Sequence, residues 1–175
     1  MAVPDLAARR TPRALPSGTF AALFDGLFFA RTLAAVDAAL DSAAVPPEPP
    51  VAVIGDLRLG RALAERGRRV VILDRDRRRL RRLKRGHLVC ASPDALPIAD
   101  RTLSALIGLG VGARDDWQAI LGEWSRTVGD GGVLVLVDRT PAAEMTRRAL
   151  CAGLAEIEQR SAGRVVVTSG LVTAI

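Results

Sequence analysis

From residue 51 onward the chain alternates two hydrophobic patterns. Short runs of adjacent apolar residues, VAVIG (51–55), RVVILD (69–74), HLVCA (87–91), LSALIGLG (103–110) and GGVLVLVD (131–138), are separated by stretches where apolar residues recur three and four apart. The runs are rich in Val, Ile and Leu and lack polar alternation, which predicts strands buried on both faces. The intervening stretches predict helices over 57–66, 114–128 and 140–152, with an arginine-rich helix over 75–85. Strand and helix in repeated alternation imply a parallel sheet covered by helices on both sides. After Leu154 two extended runs meet around Ser161-Ala162-Gly163, the pattern of a closing antiparallel hairpin.

Ahead of this body, SGTFAALFDGLFFARTLAAVDAAL (17–40) repeats apolar residues at helical spacing behind a Ser17 or Thr19 cap and stops before PPEPP (46–50). Residues 1–16 carry arginines but also Asp5 and three prolines, which predicts a flexible arm rather than a transit peptide. Residues 17–175 read as a single domain, with a helical cap over 17–45 and a proline linker over 46–50. A length of 175 residues with 49% hydrophobic content suits one domain with a sizeable core. No apolar run reaches membrane-spanning length and no secretory pattern opens the chain, so a cytoplasmic location without a membrane partner is expected.

Charge changes the picture only locally. The formal net charge is +6, but residues 75–85, RDRRRLRRLKR, hold seven arginines, one lysine and one aspartate; that stretch carries +7 and the rest of the chain −1. Leu80 and Leu83 give it a narrow docking stripe and leave the arginines to water, so a solvated helix face is favoured over a phosphate- or RNA-binding patch. No aromatic residue lies nearby to stack bases. Cys90 and Cys151 are far apart, and His87 is the single histidine, which predicts reduced, buried thiols and no metal site. Trp117 and Trp124, seven apart, and the stripe Phe20, Phe24, Phe28 read as packing.

The chemistry sits at the first turn. In a doubly wound sheet a ligand lies at the carboxyl ends of the strands, and the first strand feeds a helix N-terminus toward it. Gly55 and Gly60 bracket that turn, and Asp74 ends the next strand 19 residues after Gly55, the spacing of a carboxylate that accepts from ribose hydroxyls. Asp74 has a second use as a helix cap, and Asp56 is favoured as the N-cap of helix 57–66 over a displaced ligand carboxylate.

On these residues the chain resembles class I S-adenosylmethionine-dependent methyltransferases of the small-molecule type. The resemblance rests on VAVIGDLRLGRALAERGRRVVILDRD, ASPDALPIADRTLSALIGLGV and WQAILGEWSRTVGDGGVLVLVDR, in register over 50–138. DALPIAD followed by a hydrophobic strand is its most specific piece, and GDGG (129–132) matches the turn before the fifth strand. It implies an α/β, three-layer Rossmann-like sandwich on a seven-stranded, mostly parallel sheet in the order 3-2-1-4-5-7-6. Five parallel strands would begin near 51, 69, 87, 103 and 132.

The resemblance also names the expected cofactor, S-adenosylmethionine, and shows where this chain departs. The acidic residue two before the first glycine is Val53, the central loop glycine is Leu57, the acid after the third strand is Ser92, and the acid entering the fourth strand is Ser104. Gly55, Asp56, Gly60, Asp74 and Ser92 remain as candidate cofactor contacts, with Leu57 crowding the ligand unless the longer loop swings it aside. No catalytic residue is assigned. Three functions stay open: a divergent methyltransferase acting on a small molecule or a protein partner, a non-catalytic pseudoenzyme serving as a binding or assembly module, and an RNA-associated protein using 75–85. Across them, binding of S-adenosylmethionine is expected to be weak or absent.

Overall fold

The computed structural model describes residues 18–46, 48–82 and 86–173, with the backbone path alone for 18–25. The expected arm over 1–16, Leu83, and the side chains of Phe20 and Phe24 lie outside the described residues. A long helix α1 (Gly18–Ser42) leads into β1 (Val51–Ile54), α2 (Leu57–Glu65), β2 (Val70–Asp74), α3 (Arg77–Leu80) and β3 (His87–Cys90). There follow β4 (Leu103–Leu109), a 3-10 turn (Val111–Ala113), α4 (Trp117–Thr127), β5 (Val128–Asp138), α5 (Ala142–Cys151), β6 (Leu154–Ala162) and β7 (Val165–Val172).

The strands form one seven-stranded sheet in the order β3-β2-β1-β4-β5-β7-β6. β1 through β5 pair in parallel, and β7 inserts antiparallel between β5 and β6. This is the three-layer Rossmann-like order that the resemblance implies. Alternation along each strand sends side chains to opposite faces. Val51 and Val53 pack with Leu33, Val36, Leu59 and Leu63 of α1 and α2. Ala52 and Ile54 pack with Ile120, Leu121, Trp124 and Met145 of α4 and α5. No helix of the described residues is long and apolar enough to cross a membrane.

Several local expectations change. The basic helix is a single turn, Arg77–Leu80, because Asp76 caps it at one end and Leu80 is the one described apolar residue that docks it. Strand β5 begins at Val128 rather than 132, taking GDGG into the strand. Its pairing with β4 jumps from Leu103↔Val128 to Ala105↔Val133, and Gly131 adopts a φ of +73° within the bulge. Ser104, opposite the bulge, donates from Oγ to the Pro49 carbonyl at 2.7 Å and so ties the proline linker to β4. The hairpin turns at Gly163-Arg164, with Ser161 and Ala162 still in β6. Both cysteines are exposed rather than buried: Cys90 ends the edge strand β3, and Cys151 ends α5 away from the face that Met145 and Ala149 bury.

Close packing predicts opposite outcomes for two glycines. A Cβ at Gly108 in β4 would lie 2.0 Å from ring carbons of the buried Trp124, whereas one at Gly122 in α4 meets nothing within 4 Å. Gly108→Ala is expected to destabilise by about 1–3 kcal/mol through overpacking. Gly122→Ala is expected to stabilise by about 0.5–1 kcal/mol through helix propensity. Urea denaturation of both variants checks the pair; equal and small effects would contradict the packing.

Candidate functional site

The first turn and the second strand end build one side of a crevice at the carboxyl ends of the parallel strands. Gly55 leaves β1 with a φ of +91°, which favours glycine, and its N–H donates to the Leu73 carbonyl at 3.3 Å. Asp56 is the N-cap of α2: its Oδ1 accepts from the N–H groups of Arg58 (2.8 Å) and Leu59 (3.0 Å). Gly60 lies inside α2, where a Cβ would come within 2.6 Å of Ile72; its missing side chain lets the helix approach β2. Leu57 packs toward the α1 core, and Val53 is fully buried there.

At the end of β2, Asp74 is 6% exposed. Its Oδ1 accepts from the Asp76 N–H at 2.8 Å, which bends the chain out of the strand. Asp76 then caps α3, accepting from Arg78 N–H at 2.8 Å. That single helical turn carries Arg79 back over the strand end, so that its Nη1 stands 3.0 Å from Asp74 Oδ2. The angle is not that of a hydrogen bond: Asp74 Oδ2 is buried with a cation beside it and no donor aimed at it.

The other side comes from the loops after β3 and β4. Ser92, between the lining residues Ala91 and Pro93, donates to the Asp94 carboxylate instead of pointing a free hydroxyl at a ligand. Trp124 on α4 reaches the same loop and donates from Nε1 to the Pro93 carbonyl at 2.8 Å. After β4, Gly110 turns the chain with a φ of +72°. The Gly112 N–H is then held by Asp138 Oδ2 at 2.6 Å, while Asp138 Oδ1 accepts from the Thr140 N–H and hydroxyl at 2.9 and 2.7 Å. Arg114 follows, with Nε and Nη2 on the Asp116 carboxylate at 2.8 and 2.6 Å. That pairing holds the Asp116 carboxyl below the usual aspartate range.

The crevice has a volume of about 280 Å³, just below the range of roughly 300–1,000 Å³ for ligand sites. Of the five residues expected to meet a cofactor, Gly55 and Asp74 line it; Asp56, Gly60 and Ser92 do not. Sequence reasoning missed Arg75, Arg79 and Arg114, which line it too. No pattern in the chain marked them, since Arg75 and Arg79 were lost within the basic run. A larger hollow of about 440 Å³ lies at the opposite, amino ends of the strands, where Val71, Val89 and Ile98 are only partly covered and no helix connects β3 to β4. Among the described residues no cluster of three or more His, Cys, Asp or Glu side chains is placed to hold a metal.

No family model matches the chain, and no curated protein matches it. Solved structures do. A methyltransferase from the complex with the Haloferax volcanii Trm112 methyltransferase activator superposes with a TM-score of 0.66 at 16% identity, over 92% of this chain and 100% of that one. A TehB-like SAM-dependent methyltransferase from Corynebacterium glutamicum gives 0.64 at 17% identity, over 88% and 96%. A T. thermophilus 16S rRNA methyltransferase in complex with AdoMet and guanosine gives 0.58 at 20% identity, over 74% and 37%. The chain has the fold of class I S-adenosylmethionine-dependent methyltransferases.

In this fold the crevice lies where the sequence places the candidate cofactor site, with Gly55 and Asp74 in its lining. Asp74 Oδ2 is a buried acceptor with the Arg79 guanidinium beside it and no hydrogen-bond donor. For the sulfonium and ammonium of S-adenosylmethionine the lining offers no further carboxylate: Asp74 is its one acid, against three arginines.

The wall of the crevice is held by a polar network. Glu123 accepts the Leu96 N–H at 2.7 Å and two bonds from Arg126, whose Nη1 also reaches the Ile98 carbonyl at 3.0 Å. Arg126 first, then the Leu96 N–H, holds the Glu123 carboxyl below the usual glutamate range. A carboxyl whose folded pKa is depressed contributes stability that is complete above the unfolded value of about 4.3 and is lost as pH falls through the folded value. Glu123→Gln is therefore expected to melt below wild type at pH 7, with the difference in Tm shrinking as pH falls from about 5 toward 3. A difference constant across thermal melts in that range would refute the network's charge dependence.

Proposed function

We propose that this chain is a methyltransferase-fold protein that holds S-adenosylmethionine weakly or not at all and serves as a binding or assembly module. The observation that carries the reading is the charge of the crevice, whose one carboxylate, Asp74, already faces Arg79. Each missing charge-assisted hydrogen bond costs roughly 1.5–3 kcal/mol, so the changes at Val53 and Ser92 together weaken the cofactor by about two to four orders of magnitude. Restoring the acid at Val53 would bury a carboxylate beneath α2, since that side chain has no exposure. A cytoplasmic location accords with this reading.

A second reading is a methyltransferase that works with a protein partner. The structural neighbour solved with a Trm112 activator supports it, as does the open outer edge of β3, where His87 and Cys90 are exposed. Methyl transfer asks chiefly for positioning and exclusion of water, so binding rather than acid–base chemistry separates the two readings.

Calorimetric titration of the full chain with S-adenosylmethionine decides between them. The expected result is no saturable binding in the micromolar range. Arg79→Ala is expected to improve affinity by at most about fivefold, because a half-exposed arginine–carboxylate pair is worth about 0–1 kcal/mol. Micromolar binding by the unaltered chain would establish the second reading instead.

A further inference from the structure

The same crevice that is wrong for a sulfonium has the features of an anion site joined to a ribose site. Asp74 supplies a buried carboxylate oxygen without a hydrogen-bond donor, the group that a pair of ribose hydroxyls satisfies. Arg75, on the exposed turn beside it, has no hydrogen bond or ion pair from its guanidinium among the described residues. Arg114 spends Nε and Nη2 on Asp116 and keeps Nη1 unbonded, which leaves a fixed fork with free donors. Arg75 and Arg114 both line the crevice, together with Arg79. The nearby Asp94 is engaged by Ser92, and Asp116 by Arg114, which leaves the lining itself with three cations against one acid.

S-adenosylmethionine brings two positive centres and one negative one to such a lining; a nucleoside monophosphate brings nearly two negative charges at neutral pH. Arginine forks bind phosphate with paired, charge-assisted hydrogen bonds, and Pro93, Ile120 and Trp124 give the cleft an apolar wall beside them. We propose that the crevice is a site for a free ribonucleoside 5′-monophosphate, whose ribose hydroxyls donate to Asp74 and whose phosphate accepts from Arg75 and Arg114. Arg79, half exposed over Asp74, moves aside or joins the phosphate when the ribose enters. The inference rests on the reading of the crevice as this chain's ligand site and goes beyond it by naming the ligand.

The test is calorimetry of the full chain at low salt with each of the four common ribonucleoside 5′-monophosphates. The comparison ligands are 2′-deoxyadenosine 5′-monophosphate, inorganic phosphate, S-adenosylmethionine and a short single-stranded RNA. At least one ribonucleotide is expected to bind about tenfold or more tighter than each comparison ligand. Arg75→Gln, a change at an exposed side chain, is expected to weaken it about tenfold, the equivalent of one charge-assisted bond. Asp74→Asn is expected to abolish the preference for ribose over deoxyribose, with a thermal melt confirming that the variant is folded; Arg75→Gln carries the test if it is not. The proposal fails if no ribonucleotide binds, if inorganic phosphate binds as tightly, if RNA binds more tightly, or if Arg75→Gln leaves affinity unchanged. Failure of every ligand overturns this inference and leaves the weak-cofactor reading standing, whereas tight S-adenosylmethionine binding overturns both.

Discussion

Val51 to Ile54, Ala105 to Ile107 and Val133 to Val137 have almost no contact with water, so each backbone N–H and C=O among them must be paired inside the sheet. The parallel ladders from β2 through β5 meet that demand, and helices on both faces keep the strands dry. At the strand ends the ladder stops, and polar side chains finish the pairing. Asp74 and Asp138 end β2 and β5, and Asp56 and Asp76 cap the helices that follow; each accepts backbone N–H groups a few residues on and bends the chain there.

Three of those four carboxylates act on backbone or neighbouring hydroxyl donors and do what a folded chain needs of them. Asp74 does this with one oxygen and leaves the other buried and facing a crevice. That difference is the physical origin of the candidate site. Asp138 shows the contrast: in the same position at the end of β5, it is satisfied by Gly112 and Thr140 and holds the loop after β4 in place. Arg114 and the wall of the crevice depend on that loop.

The chemistry of the crevice follows from short connections more than from its strands. A one-turn α3 is too short to carry its arginines away from the sheet, so Arg79 returns to the strand it has just left. The loop from β3 to β4 contains no helix and is held by Glu123 and Arg126 of α4, with Trp124 bonded to Pro93. The result is a small crevice with a buried carboxylate oxygen and an arginine rim, set on a fold whose solved neighbours include a methyltransferase in complex with AdoMet.

Hydrophobic periodicity by itself determined the strands, the order of strand and helix, the closing hairpin and the placing of Gly55 and Asp74 at a strand end. These are properties of neighbouring residues: buried strands need continuous Val, Ile and Leu, and a turn into a helix needs glycine and a cap. The same local reasoning recovered Asp56 as a cap, because its partners are two and three residues away. It could not place Gly60 against Ile72 or Leu57 against the α1 core, since those contacts join elements whose packing is not written in either one. It read the 75–85 run as a solvated helix, while Asp76 and the docking of Leu80 made it one turn and put Arg79 on Asp74. Arg114 became part of the crevice only because Asp138, more than twenty residues later, fixes the loop before it. Charge convergence is a property of three-dimensional distance, and so the net sign of the site was decided by the tertiary structure alone.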